Sequence, residues 1–419
     1  MVDIAALCPP LVPVRQNFPA PRLADVEGEA ARQVAPLLAG VRPGARIAVT
    51  AGSRGITDIV PILRSVVRAV RQAGADPLVV AAMGSHGGGT ADGQRKVLHG
   101  LGITAESVGA EVYTGTEVVT LGATLSGLTV YLDKAAAACD GILLVNRIKM
   151  HTLFTEPFGS GLQKMIVVGL GKVPSAEGMH RRGIGRIMAD AIAEIAATAL
   201  ATGRFLGGLA IVENGYDETV ILEGISPARI AERELALFEQ ACALMPRIPV
   251  GKIDLLIVEE MGKNISGTGM DVNITGRWRM PGVADPAFPG VKRLVILRLT
   301  PQSEGNATGI GQADITTRAL FDSIDLPATY LNALTSTFVE RVFIPMIMPT
   351  EREAIGAALK TAGVDPAQAR VARIKNTLHL DSIWLSTNLV DEAVATGRCE
   401  ATGPATPLEY DGDGRLKAA

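Results

Sequence analysis

The sequence predicts an α/β protein made of two α/β domains, with parallel or mixed sheets and a cleft between the domains. Three observations carry this. Short apolar runs of strand length alternate with amphipathic runs of helix length, the pattern of βαβ units. The 46 glycines follow no fixed period and cluster just after the apolar runs, where α/β proteins place loops that approach ligands. The chain has 419 residues, 47% of them hydrophobic, which is ample for more than one core at about 100–200 residues per domain.

The elements follow in order. Residues 1–45 are Pro-rich and then helical, with EGEAARQVAPLLAG ending at Gly40. RIAVTAGSRG is an apolar strand that breaks into a loop holding Ser53 and Arg54. DIVPILRSVVRAVRQAG reads as an amphipathic helix closed by Gly74. DPLVVAAMGSHGGGT repeats strand and Gly-rich loop, so the two strands are parallel. TEVVTLG and LTVYLD form a hairpin, and GILLVNRIKMH is a buried strand that emerges into a polar loop. FGSGLQKMIVVGLGK is an irregular, glycine-punctuated segment. In IGRIMADAIAEIAATALATG, Ile184, Ile187, Met188, Ile192 and Ile195 recur at helical spacing. LGGLAIVENGYDETVILEGI is a hairpin turning at Asn214-Gly215. A helix through SPARIAERELALFEQACALM closes a first domain assigned to residues 1–250.

A second domain, residues 251–402, opens on the strand KIDLLIVEE and continues through RLVILRLT. Thr350 and Glu353 make a capping box for EREAIGAALKTAG. The strands VARIKN and SIWLST and the helix NLVDEAVATG complete it, and residues 403–419 read as a loose polar tail.

Composition excludes several function classes. The 40 basic and 43 acidic residues are interspersed, giving a net charge of -3 with no basic stripe, so no nucleic-acid partner is expected. No apolar stretch is long and uninterrupted enough for a membrane span. Cys8, Cys139, Cys242 and Cys399 are far apart without zinc-type spacing, as in a cytoplasmic protein with reduced thiols. No charged, apolar leader opens the chain. Oligomeric state stays open.

Five histidines are present. His99 falls in a helix pattern and His379 in an ordinary loop, where imidazoles are solvated or structural. His86 (in GSHGGGT), His151 (in NRIKMHTLF) and His180 (in GKVPSAEGMH) occupy Gly-rich or polar loops after strands. Each reads equally as an exposed or packing imidazole and as a general base or ligand. Lys164, between Leu162 and Met165, is either a snorkelling side chain or a desolvated amine of lowered pKa. Arg54 suits a carboxylate or a phosphate.

Together these residues resemble the nickel-pincer lactate racemase family of 2-hydroxy-acid racemases and epimerases. The family's Asp-His-Thr-Arg-Pro loop reads Ala51-Gly52-Ser53-Arg54-Gly55 here, and its Gly-Thr-His loop reads Gly84-Ser85-His86. A His, a Ser-Gly loop, a Lys and a distal His follow as His151, Ser160-Gly161, Lys164 and His180. The step from Lys164 to His180 agrees with the family; that from His151 to Lys164 is longer.

The resemblance implies a nickel pincer nucleotide, in which nickel is bound to a sulfur-substituted pyridinium mononucleotide. Lys164 is its tether, His180 the nickel ligand, and Ser53, Ser160 and Gly161 line its site. A tetragonal N/S donor set suits nickel(II). His86 and His151 correspond to the two acid–base residues and Arg54 to the substrate-carboxylate arginine. The implied reaction is proton-coupled hydride transfer, racemising or epimerising a 2-hydroxy acid. In the second domain Gly269-Met270-Asp271-Val272-Asn273 aligns with the family, but Thr275-Gly276 stands where it has Tyr-Gln. Arg277, with Arg279 nearby, is the substrate-binding cation there, pointing to a substrate other than lactate, larger or more anionic. A host without the cofactor pathway is expected to yield the bare chain. Two other readings fit the same residues: a cofactor-free protein binding an anion at Arg54, and a zinc-dependent hydrolase using His86, His151 and His180, although no HExxH pair is present.

Overall fold

The computed structural model describes residues 3–152, 159–182, 186–279 and 284–418, with the side chains of 180–182, 186 and 335 outside that description. The chain forms two compact units, Pro19–Met245 and, together, Met1–Phe18 and Pro246–Ala419. Strand β1 (Leu11–Gln16) belongs to the second of these.

The Pro19–Met245 unit contains β2 (Arg46–Ala51), β3 (Asp76–Ala81), β4 (Glu111–Tyr113), the hairpin β5 (Val118–Ala123) and β6 (Thr129–Asp133), β7 (Gly141–Arg147), β8 (Phe205–Glu213) and β9 (Thr219–Ile225). Its main sheet has the order β4-β3-β2-β7-β8-β9. All pairings are parallel except β8 with β9. Parallel sheets are covered on both faces, so their strands are apolar throughout; β2 and β3 are each buried over five successive residues. Ile47 and Val49 face the helix Ile59–Gln72, with Ile62, Leu63, Val66 and Val70. Ala48, Leu78, Val80 and Leu144 face the opposite way, toward Met188, Ile192 and Ile195 of the helix Arg186–Leu200.

The strand order reverses between β2 and β7. From β2 the chain moves outward through β3 and β4, then returns to β7 on the other side and continues to β8. The chain after β2 covers one face, and the chain after β7 covers the other. Loops diverge at such a switch point, leaving a crevice at the carboxyl ends of the strands. Those ends are Ala51, Ala81, Arg147 and Glu213, all on one edge of the sheet.

Some expectations change. The first helix covers only Val26–Val34 and tightens into a 3₁₀ turn, Ala35–Leu38, at Pro36. The glycine-punctuated stretch after β7 is helical: Leu162–Lys164, a π-helical turn Met165–Leu170, then Lys172–Arg182. Its glycines serve close packing, since a Cβ on Gly169 would lie 3.0 Å from the Ala82 carbonyl oxygen. In the helix Arg186–Leu200 the buried stripe runs through Met188, Ile192 and Ile195, while Ile187 precedes it and is exposed. Ile184 lies outside the described residues.

The other unit contains β10 (Lys252–Met261), β11 (Gly290–Leu299), β12 (Ile315–Thr317), β13 (Met346–Met348), β14 (Val371–Ile374), β15 (Ser382–Ser386) and β16 (Cys399–Ala401). Its sheet has the order β13-β12-β11-β10-β14-β15-β1-β16. The strands β10 to β14 are mutually parallel, and β15 opposes β14. The first 18 residues, assigned above to the N-terminal domain, build this sheet, because β1 pairs antiparallel with both β15 and β16. Leu11 and Val14 are buried there. The tail is not loose: Leu11 bridges Thr406, Tyr410 bridges Leu416, and Leu416 is buried. Arg298 donates to the Leu416 carbonyl and Arg373 to the Lys417 carbonyl. A polar, Pro/Gly-rich segment is ordered here by side chains of the sheet that engage its backbone. The Thr350–Glu353 capping box is formed. None of the four cysteines is in a disulfide. Among the described residues no helix is long and apolar enough to cross a membrane.

Candidate functional site

The loops leaving β2, β3, β7 and β8 converge because their strands are parallel neighbours. Glu213, at the end of β8, joins two of them. Its carboxylate accepts from the Thr57 amide at 2.9 Å and pairs with Arg147 at the end of β7. Asn146 donates to the Gly161 carbonyl at 2.7 Å, holding the Ser160-Gly161 turn against β7. Ser160 and Lys149 exchange backbone hydrogen bonds of 2.7 and 3.0 Å, which places Ser160 near His151. Gly52 lies against Met165: a Cβ on it would be 3.2 Å from the Met165 Cε. Gly84, two residues before His86, packs on Val168 and Ala176 in the same way. Gly87, Gly88 and Gly89 all have φ near +65° (64°, 67° and 65°), a run of left-handed backbone that only glycine adopts without strain. This run turns the chain from His86 into the helix Ala91–Gly100.

Lys164 stands at the end of the short helix Leu162–Lys164 and is half-buried. Desolvation, with repulsion from Arg54, lowers its amine to about 7. Lys164 therefore holds a substantial share of free amine at neutral pH. Arg54 keeps exposed surface, yet surrounding protein desolvates its guanidinium and holds it below the ordinary arginine value, and Arg147 adds repulsion.

The start of the Lys164 helix is fixed from outside. Glu234, fully buried on the helix Ile230–Leu244, accepts from the Gln163 amide at 3.0 Å and also from the Leu162 amide. These are two of the amide donors that a helix N-terminus leaves without intrahelical partners. Burial raises the Glu234 carboxyl to about 7, and the two amides work against that rise. A Cβ on Gly161 would come 2.3 Å from a Glu234 carboxylate oxygen. A side chain at 161 would push the Glu234 carboxylate off the Gln163 amide.

Ser53, Arg54, His86, His151, Ser160, Gly161 and Lys164 thus all lie at the carboxyl edge of one sheet. His180 belongs to the helix Lys172–Arg182, and its side chain lies outside the described residues. Arg277 lies in the other unit, buried, paired with Asp314 and donating to the Lys292 carbonyl at 3.1 Å. Asp314 also pairs with Arg279 at 2.5 Å. Burial lowers the Arg277 pKa, with Asp314 opposing. The charge of Arg277 is engaged within its own unit. His99 and His379 are exposed. Among the described residues no group of three or more His, Cys, Asp or Glu could hold a metal ion.

Sequence reasoning missed Arg147, Glu213 and Glu234. Glu234 had a readable signal, as a carboxylate on the apolar stripe of Ile230, Leu237, Phe238 and Ala241. The Arg147–Glu213 pair had none, because it joins residues that are close only in the folded sheet.

Residues 33–189 match the lactate racemase N-terminal domain family. No curated protein sequence matches the chain. Among solved structures, the lactate racemase apoprotein from Thermoanaerobacterium thermosaccharolyticum is similar in fold, with a TM-score of 0.52 at 12% identity, covering 88% of this chain and 98% of that one.

Proposed function

We propose that this chain, whose residues 33–189 match the lactate racemase N-terminal domain family, racemises or epimerises a 2-hydroxy acid with a nickel pincer nucleotide held by Lys164 and His180. The observation that carries the reading is the Lys164 amine, lowered to about 7 beside Arg54 at the strand-order reversal. A tethering lysine must be unprotonated to form a covalent bond, and a value of about 7 leaves a substantial share of Lys164 as free amine at neutral pH. Gly52 and Gly84 keep the surrounding loops low against the Met165–Leu170 turn. The cationic Arg54 and the Ser53 and Ser160 hydroxyls are apt for a phosphorylated pyridinium group.

Bound there, the cofactor would accept the hydride released from C2 and return it to the opposite face of the 2-keto acid. The chain's residues bind substrate and move protons. Arg54 holds the substrate carboxylate, a charge-assisted contact that fixes C2. As the C2–H bond breaks, His86 or His151 takes the hydroxyl proton, leaving a 2-keto acid. After that acid turns over, the other histidine returns a proton to the oxygen. An imidazole titrating near neutrality serves in either direction.

The test is to co-produce the chain with the cofactor's biosynthetic enzymes. Nickel content, a mass addition on the Lys164 peptide and loss of enantiomeric excess on a panel of 2-hydroxy acids are expected together. Zinc without a mass addition would overturn the reading in favour of a hydrolase. Neither metal nor addition, with anion binding that depends on Arg54, would favour a cofactor-free binding protein.

A further inference from the structure

Lys172 is buried to 1% exposure, yet the chemistry above gives it no task. Its amine lies 3.2 Å from the carboxylate of Asp133, itself fully buried, and donates to the Ala81 carbonyl. Burial pushes the Lys172 amine down, and Asp133 works against that. The second Asp133 oxygen accepts from the Ala136 amide at 2.9 Å, so the carboxylate is anchored in its turn. Lys172 also has φ of +57°, a left-handed backbone that glycine adopts without strain. Glycine stands at 169 and 171 in the same stretch, but position 172 carries a lysine whose amine meets both Asp133 and the Ala81 carbonyl.

The three anchored points are informative. Ala81 ends β3, five residues before His86. Asp133 ends β6. Lys172 lies eight residues after Lys164 and eight before His180, at the junction of the π-helical turn and the following helix.

We propose that Lys172 is a positioning residue for the Lys164 amine: its contacts with Asp133 and Ala81 pin the turn after Met165–Leu170 onto the end of β3 and so fix where Lys164 stands relative to the His86 loop. The π-helical turn Met165–Leu170 is one residue wider than an α-turn, a rare geometry found mostly as single turns. Gly169 against Ala82 and Gly84 against Val168 show how closely that turn is laid on β3's end. Releasing the pin lets the turn lift and lets Lys164 reach water.

This inference rests on Lys164 being the working amine of the site. Its test reads that amine directly, on the full chain without cofactor. Rates of Lys164 acylation are measured against pH by peptide mass spectrometry in wild type, Lys172→Gly and the charge-neutral pair Lys172→Met with Asp133→Asn. Lys172→Gly removes the pin and relieves the left-handed backbone but leaves Asp133 buried without its cation; the charge-neutral pair avoids that cost, so it is the variant better able to fold. Wild type is expected to half-titrate near 7. Both variants should titrate at least one pH unit higher, with about a tenfold slower reaction at pH 7, because each unit is tenfold in free amine. A Lys164 profile unchanged in folded variants would overturn the positioning role and leave the proposed function standing. Failure of both variants to fold would overturn it too, assigning Lys172 to stability alone. A chain that never acquires the cofactor, yet shows the shifted profiles, would overturn the proposed function and leave this inference intact.

Discussion

Glu234→Gln should change how stability depends on pH. The carboxyl rises from 4.5 to about 7 on folding because it is fully buried. That rise corresponds to roughly 3 kcal/mol at 1.36 kcal/mol per unit. An acid whose folded pKa is raised contributes its full share below the unfolded value. Folded stability is therefore complete below about pH 4.5, falls as the unfolded chain ionises first, and carries the whole penalty above about pH 7. Glutamine keeps an oxygen to accept from the Gln163 amide and cannot ionise. The stability of Glu234→Gln relative to wild type should thus improve by about 3 kcal/mol between pH 4 and pH 8. Urea denaturation across that range, following the transition of the Pro19–Met245 unit, measures it. A difference between the two proteins that is flat with pH would refute the burial argument. A difference that worsens with pH would show that the carboxylate, charged, is what the Leu162 and Gln163 amides require.

Three further outcomes are expected. His86→Ala and His151→Ala should each lose about 10²–10⁴-fold in racemisation while retaining nickel, whereas His99→Ala stays within a few-fold of wild type; enantiomeric-excess assays with metal analysis check this. Arg54→Leu removes the nearest repulsive charge from Lys164, so the amine should titrate higher and acylate more slowly at pH 7, read by peptide mass spectrometry. Asp314→Ala leaves Arg277 buried without its carboxylate and should destabilise its unit by about 3–5 kcal/mol in urea titrations.

Periodicity and glycine placement determined much of this protein. The alternation of RIAVTA, the helix Ile59–Gln72 and DPLVVA is local, so the parallel β2–α–β3 arrangement and the loops of Arg54 and His86 were legible residue by residue. So were the Thr350 cap and the β8–β9 hairpin, whose partners lie within a few residues, although the turn runs Asn214–Asp217 with its left-handed residue at Asp217 instead of Asn214-Gly215. The order of Lys164 and the histidines carried the family resemblance. Only the tertiary structure decided the rest, because it depends on partners distant in sequence. Strand β1 reads as any short apolar run; that it pairs with β15 and β16 follows from edges formed about 370–390 residues later. The tail's composition spoke for looseness, but Arg298 and Arg373 on the sheet engage its carbonyls. Glycines at 161, 169 and 171 suggested a loop, yet they make room for Glu234, Ala82 and Ser175 around a helix. The pKa of Lys164 is likewise a property of its surroundings, since desolvation and the nearness of Arg54 exist only once β2 and the Leu162–Lys164 turn are packed together.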